Sequence, residues 1–132
     1  MIVPTLQFPG TCQEAITFYE DVFTITEKNI SHYRDAPPNS GMTITEDMLD
    51  LVMHASITIC GTKFNCSDAQ RDAIPGNMIL FNVFMKSEDE VHQAFEKLKI
   101  NGEVVIDLGP QFFSKLYGSI IDRFGIKWQL IT

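Results

Sequence analysis

Residues 112–131 read FFSKLYGSIIDRFGIKWQLI. In the middle, Asp122-Arg123-Phe124-Gly125 puts Asp first and Gly fourth, the pattern of a type I turn. Leu116, Tyr117, Ile120 and Ile121 precede it, and Ile126, Trp128, Leu130 and Ile131 follow. The stretch therefore predicts two strands joined by a tight turn. The chain's one Trp lies here, in a run too apolar to meet water on both faces. Such a hairpin needs further strands beside it and a helix behind it.

Working back from the hairpin, Gly109-Pro110 reads as a break and residues 103–108 as a strand. Ser87-x-x-Glu90 is a capping box, and it opens a helix with Val91, Ala94, Phe95, Leu98 and Ile100 on one side, ended by Asn101-Gly102. Residues 77–86 form a strand before it. Residues 68–76 are polar, broken by Pro75-Gly76, and read as a linker.

The first part of the chain has the same order. Residues 3–8 are a strand closed by Pro9-Gly10. Thr11-x-x-Glu14 is another capping box, with Ala15, Ile16, Tyr19, Val22 and Phe23 at helical spacing. A strand over 24–33, a loop over 34–46, an alternating strand over 51–60, a turn at Cys60-Gly61-Thr62 and a strand over 63–67 follow. Strand-helix-strand-strand-strand is thus written twice, and internal repetition decides architecture. The expectation is an α+β fold: a single domain, 1–132, of paired βαβββ modules, 1–70 and 77–132. Their sheets would curl around a central cleft, the default ligand site.

Composition narrows the function. At 132 residues with 45% hydrophobic content, the chain suits one domain with a real core. A net charge of −7 and a pI near 4.8 argue against nucleic acid and against an anionic membrane surface. No apolar run spans a bilayer, and MIVPTLQF does not read as a signal peptide. Cys12, Cys60 and Cys66 show no CxxC spacing, which points to free thiols in a reducing cytoplasm. Cys60 and Cys66 flank a turn: either they lie near each other, or each fills space in a strand.

Four segments carry a resemblance: GTCQEAITFYEDVF from Gly10, VMHASITICGTKFNCSD from Val52, SEDEVHQAFEKL from Ser87 and IIDRFGIKWQL from Ile120. In this order they resemble the vicinal oxygen chelate (glyoxalase/bleomycin resistance/dioxygenase) superfamily. Within it the chain resembles the PhnB-like branch, known as 3-demethylubiquinone methyltransferase-like. The resemblance implies the paired βαβββ fold and a homodimer. It leaves the activity open, because the superfamily includes isomerases, dioxygenases, lyases and plain binders.

Metal-dependent members hold a divalent ion through His and Glu from four strands. Carried over to this chain, those positions fall on Pro4, Asn65, Met78 and Gln129. A one-residue slip moves the first to Thr5 and the last to Trp128. None is His or Glu, so the implied cleft holds no metal and no cofactor. Hairpin pairing sets Ser56 or Thr58 opposite Asn65, and period two brings His54 to the same face. In the fifth strand Leu80, Asn82 and Phe84 share a face with Met78. The expected ligand-binding residues are therefore Phe8, His54, Ser56, Asn65, Met78, Leu80, Asn82 and Gln129. A mostly apolar wall with a few polar groups describes a small-molecule site.

His54 is the candidate catalytic residue, as the neutral-pH proton carrier on that face. The alternative is a strand His bonded to Ser or Asn neighbours. His32 and His92 read as surface residues. Asn65, Asn82 and Gln129 either bind a ligand or bond one another. Phe112, Phe113 and Tyr117 read as core or rim, and Asp122 as a turn former. Glu46, Asp47 and Asp50, with Asp35, read as a solvated acidic loop, since their spacing matches no calcium loop. The expected function is a PhnB-like binder of a small, partly apolar molecule in a metal-free cleft. The alternative is a lyase, isomerase or dioxygenase-type enzyme using His54 or a metal not apparent in the sequence. Methyl transfer is the least favoured, because no Gly-rich strand-turn-helix nucleotide site is present.

Overall fold

The computed structural model describes residues 1–69 and 71–132; Gln70, within the expected linker, lies outside the described residues. The chain divides into two compact units, Met1–Ala73 and Ile74–Thr132. The fold is α+β, with a four-stranded mixed sheet and a helix in each unit.

The first unit runs β1 (Thr5–Phe8), α1 (Cys12–Val22), β2 (Ile25–His32), β3 (Val52–Ile59) and β4 (Thr62–Asp68). The sheet order is β1-β4-β3-β2, with β1 parallel to β4 and the other pairs antiparallel. Alternation along the strands buries Leu6, Phe8, Ala55, Ile57, Ile59, Phe64 and Cys66. Cys12, Ala15, Ile16 and Tyr19 of α1 are buried with them. Each large apolar side chain enclosed this way contributes roughly 1.5–3 kcal/mol.

The expected capping box of α1 is absent. Thr11 sits at φ −107°, ψ 15°, outside the extended conformation that aims a cap hydroxyl at the first turn, and its side chain makes no cap bond. Asp68 replaces it from the end of β4. Its Oδ1 accepts from Cys12 N at 2.9 Å, and its Oδ2 accepts from Val52 N at 2.9 Å. Asp68 therefore belongs to the core, where it is 5% exposed, and not to the linker.

The second unit runs β5 (Phe81–Phe84), α2 (Glu88–Leu98), β6 (Glu103–Gln111), β7 (Ser114–Ile121) and β8 (Lys127–Ile131). Its order, β5-β8-β7-β6, repeats that of the first unit strand for strand. Here the serine cap holds, with the reciprocal bond of the box made one residue earlier than Ser87. Ser87 is extended (φ −145°, ψ 158°) and its Oγ accepts from Glu90 N at 3.2 Å, while Glu90 reaches back to Lys86 N at 3.0 Å. Val91, Ala94, Phe95 and Leu98 are buried on α2, as are Val83, Leu116, Ile120, Trp128 and Leu130 in the sheet.

Three boundaries differ from expectation. The fifth strand starts at Phe81, because its parallel partner β8 pairs only Trp128 to Ile131 with it. Residues 77–80 have no strand to join. Ile100 lies beyond the end of α2 and is exposed. Finally, β6 continues through Gly109-Pro110; as an edge strand bonded only to β7, it accommodates a residue without an N–H. Phe112 and Phe113 then form the exposed turn into β7.

The Asp122 turn is as read. Gly125 N donates to Asp122 O at 2.9 Å, and Gly125 has φ +87°, which glycine adopts without strain. The carboxylate is 3% exposed and fully engaged: Oδ1 accepts from Phe124 N (2.9 Å) and Ile126 N (3.0 Å), and Oδ2 from Trp128 Nε1 (2.8 Å).

Candidate functional site

Directly opposed residues on neighbouring strands share a sheet face. In the first unit the pairs Thr5–Asn65, Asn65–Ser56 and Ser56–Asn29 make one polar row on the face turned away from α1. His54 pairs with Ser31, and Gln7 with Ser67, in the adjoining row. Sequence periodicity thus brings His54, Ser56 and Asn65 to one face. Phe8 is a correction: it pairs with Asp68, points to α1 and is 1% exposed. The alternation Thr5, Leu6, Gln7, Phe8 carried that information, with the two apolar residues on the core side.

His54 is exposed and, among the described residues, its ring has no hydrogen-bond or ionic partner. Nothing fixes its orientation as a general base requires. His32, by contrast, meets Gln13 through Nε2 at 3.0 Å. A cavity of about 570 Å³ opens in this unit, lined by Gln7, Tyr33, Met53, Ser67, Arg71 and Asp72 among others. Met53 reaches it through an irregularity in the β2–β3 pairing, which breaks strict alternation. The cavity's lining is polar and charged, and it contains none of the expected site residues.

In the second unit the pairs Asn82–Gln129, Gln129–Ser119 and Ser119–Ile106 form a row across all four strands. Phe84–Ile131–Tyr117–Gly109 is the next row on the same face. This is the face away from α2, because a side chain at Gly118, on the opposite face, would meet Phe95 of the helix at 3.0 Å. Tyr117 Oη donates to Gln129 Oε1 at 2.8 Å. Phe113 packs edge-on against Tyr117 with centroids 5.2 Å apart. Phe84 is 74% exposed, whereas Ser119 is 1% exposed. Asn82 and Gln129 therefore meet as expected. Met78 and Leu80 do not join them, since both precede β5 and are exposed. Sequence reasoning missed Ser119 and the Tyr117–Gln129 bond.

The thiols are free as expected, and Cys66 fills space in its strand, but Cys60 does not. Cys60 is exposed at the β3–β4 turn, while Cys66 is buried beside Cys12. The hydrogen bond to Cys66, together with burial, pushes the Cys12 thiol far above its ordinary range. Both buried thiols serve as small core residues.

The family model of 3-demethylubiquinone-9 3-methyltransferase matches residues 1–131. The chain belongs to this family. It is thereby a PhnB-like member of the glyoxalase/bleomycin resistance/dioxygenase superfamily. It is similar to protein YjdN of Escherichia coli K12, with 25% identity over 96% of this chain and 91% of that one. The PhnB protein of Bacillus cereus shares 29% identity at a TM-score of 0.79, covering 98% of this chain and 97% of that chain. PA1353 from Pseudomonas aeruginosa shares 27% identity at a TM-score of 0.82, covering 99% and 96%.

Metal-dependent members of the superfamily raise the question of a divalent ion. The register corrects two of the carried-over positions. Thr5, and not Pro4, lies beside Asn65, and Asn82, and not Met78, lies beside Gln129. The first unit then offers a hydroxyl and an amide, and the second two amides. None of these donors is charged, and divalent cations are held chiefly by carboxylates when hard and by imidazoles or thiolates when borderline. Among the described residues no group of three His, Cys, Asp or Glu gathers elsewhere. This donor set does not fit a divalent ion.

The family's name implies a methyl donor, and the fit is no better. One amide at the start of each helix, Cys12 N in α1 and Glu90 N in α2, is engaged by the chain's own Asp68 and Ser87. The Asp68 carboxylate at the start of α1, and Glu88, Asp89 and Glu90 in the first turn of α2, place negative charge where an anionic nucleotide cofactor would sit.

Proposed function

We propose that this PhnB-like protein binds a small, partly apolar molecule, without a metal ion, on the face of the second sheet turned away from α2. One observation carries this reading: Asn82, Gln129, Ser119 and Ile106 stand in register beside Phe84, Ile131 and Tyr117. A few oriented polar groups within apolar surroundings are what small-molecule recognition uses. The Tyr117–Gln129 bond orients one of those groups in advance. On the first sheet, exposed and unpartnered His54 does not favour the catalytic alternative.

The test is a thermal-shift panel of small aromatic and alicyclic carbonyls, alcohols and acids, run with EDTA. A binder present 100-fold above its Kd adds about 2.7 kcal/mol to native stability, so it raises the midpoint by several degrees. The expected result is a midpoint rise with at least one class, unchanged by EDTA. A rise abolished by EDTA, or no rise at all, counts against the proposal.

No helix among the described residues is long and apolar enough to cross a membrane. The free cysteines support placement in the cytoplasm. We also propose a homodimer, supported by the apolar run Val104, Val105 and Ile106 exposed on edge strand β6. Light scattering should give about twice the 14.9 kDa chain mass at micromolar concentration. A mass near that of one chain would refute the dimer.

A further inference from the structure

Among the described residues, the one buried side-chain polar atom without a hydrogen-bond partner is Ser119 Oγ. Native interiors rarely leave such an atom unpaired, because it loses water and gains nothing. Ser119 lies on an inner strand, and its neighbours on the same face are all larger. Along β7 these are Tyr117 and Ile121, and across the sheet Gln129 and Ile106. A serine set among longer side chains is recessed beneath them, and at 1% exposure its hydroxyl is reached when one of those side chains turns aside, as interface rotamers commonly do on binding.

Gln129 adds a second donor at the same place. Tyr117 Oη occupies its carbonyl end, so the amide NH2 remains to donate. No other bond engages that NH2 among the described residues. Ser119 O–H and Gln129 N–H therefore both lack acceptors on adjoining, directly opposed positions. Two neighbouring donors with no acceptor call for an oxygen that can take both, as a carbonyl oxygen does through its two lone pairs. The body attached to that oxygen would lie among Phe84, Ile106 and Phe113, which are exposed and apolar.

We infer that this recess, opened by a turn of the side chains above it, is a carbonyl-binding subsite: the ligand is a small apolar, aromatic-type molecule whose carbonyl oxygen accepts from Ser119 Oγ and Gln129 Nε2. The inference rests on the binding function proposed above and names the chemical class of its ligand. Ser119 and Gln129 set specificity, and Tyr117 is a positioning residue that holds the amide with its NH2 available.

Two closely matched probes test it: acetophenone, which has the carbonyl, and ethylbenzene, which has nearly the same shape without it. Binding at millimolar concentration is followed through the backbone amide of Ser119 and the side-chain amide of Gln129 by NMR. Acetophenone is expected to shift both signals saturably and to bind at least about tenfold more tightly than ethylbenzene, the low end of what two hydrogen bonds are worth. Ser119→Ala should abolish most of that preference. In the absence of probe, the same variant should melt about 3–5 °C higher, since it removes an unpaired buried hydroxyl.

The outcomes separate the two claims. Equal binding of both probes at this face, unaffected by Ser119→Ala, overturns the carbonyl subsite and leaves the apolar binder standing. No shift at this face with either probe overturns the site on which both claims depend. A Ser119→Ala protein that melts no higher than wild type shows that the hydroxyl already has a partner, and that also overturns the subsite. Tyr117→Phe, which releases the Gln129 amide, should reduce the ratio of acetophenone to ethylbenzene affinity.

Discussion

Asp122→Ala is expected to lower the unfolding free energy by about 3–5 kcal/mol, at the high end for a single substitution. The carboxylate accepts from Phe124 N, Ile126 N and Trp128 Nε1, and it is 3% exposed. Alanine strands all three donors. The indole is the most serious loss, because Trp128 is 1% exposed and water cannot readily replace the acceptor. Asp122→Asn separates the contributions. Its carbonyl can still serve the two backbone amides, but its NH2 then faces the indole N–H, for a loss of about 1–3 kcal/mol. Urea unfolding, followed by the fluorescence of the one Trp, should show the alanine midpoint falling by roughly 2 M at an unchanged slope near 2 kcal/mol/M. An alanine variant with the wild-type midpoint would mean that the turn holds without its carboxylate.

The same residue shows why much of the fold was legible. Asp122 and Gly125 are three positions apart, so turn chemistry is local and can be read directly. The Ser87 box is local too, and the alternation of Ala55, Ile57 and Ile59 is a period of two that the structure keeps. Misreadings occurred where an element's fate depended on a distant partner. Residues 77–80 are as apolar as the strand that follows, but strand length is set by what β8 offers, and β8 begins at Lys127. Gly109-Pro110 looks like a break in isolation, yet on an edge strand it interrupts nothing.

The candidate site divides in the same way. Period two placed Ser56 with Asn65, and Asn82 with Gln129, because hairpin and parallel registers preserve parity. Parity also separated Phe8 from that face, although its apolar character had suggested a pocket wall. Ser119 carried no signal of its own. In Gly118-Ser119-Ile120 it reads as a small residue in a core strand, and only the cross-strand pair with Gln129 gives its unpaired hydroxyl a meaning. Burial and pairing are properties of the assembled sheet, so a functional serine of this kind becomes visible only after folding.

Asp68→Ala should cause a loss of similar size, about 3–5 kcal/mol, for a nonlocal reason. Its two oxygens join the first amide of α1 to the first amide of β3, over separations of 56 and 16 residues. Both donor residues, Cys12 and Val52, are 0% exposed, so no water stands ready to replace the carboxylate. A carboxylate at a helix N-terminus also complements the helix dipole, which alanine forfeits. Asparagine cannot rescue the site, because whichever way it turns, its NH2 meets one of the two backbone donors. Thr11→Ala is the internal control: Thr11 is the sequence-level cap, but it makes no cap bond, and its removal should change stability by less than about 0.5 kcal/mol. Hydrogen exchange distinguishes a local from a global effect, since the amides of Cys12 and Val52 should lose protection ahead of those in α2 and β7. If Thr11→Ala proved as damaging as Asp68→Ala, the helix would be capped by its own sequence after all, and the β4 carboxylate would not be what ties α1 to its sheet.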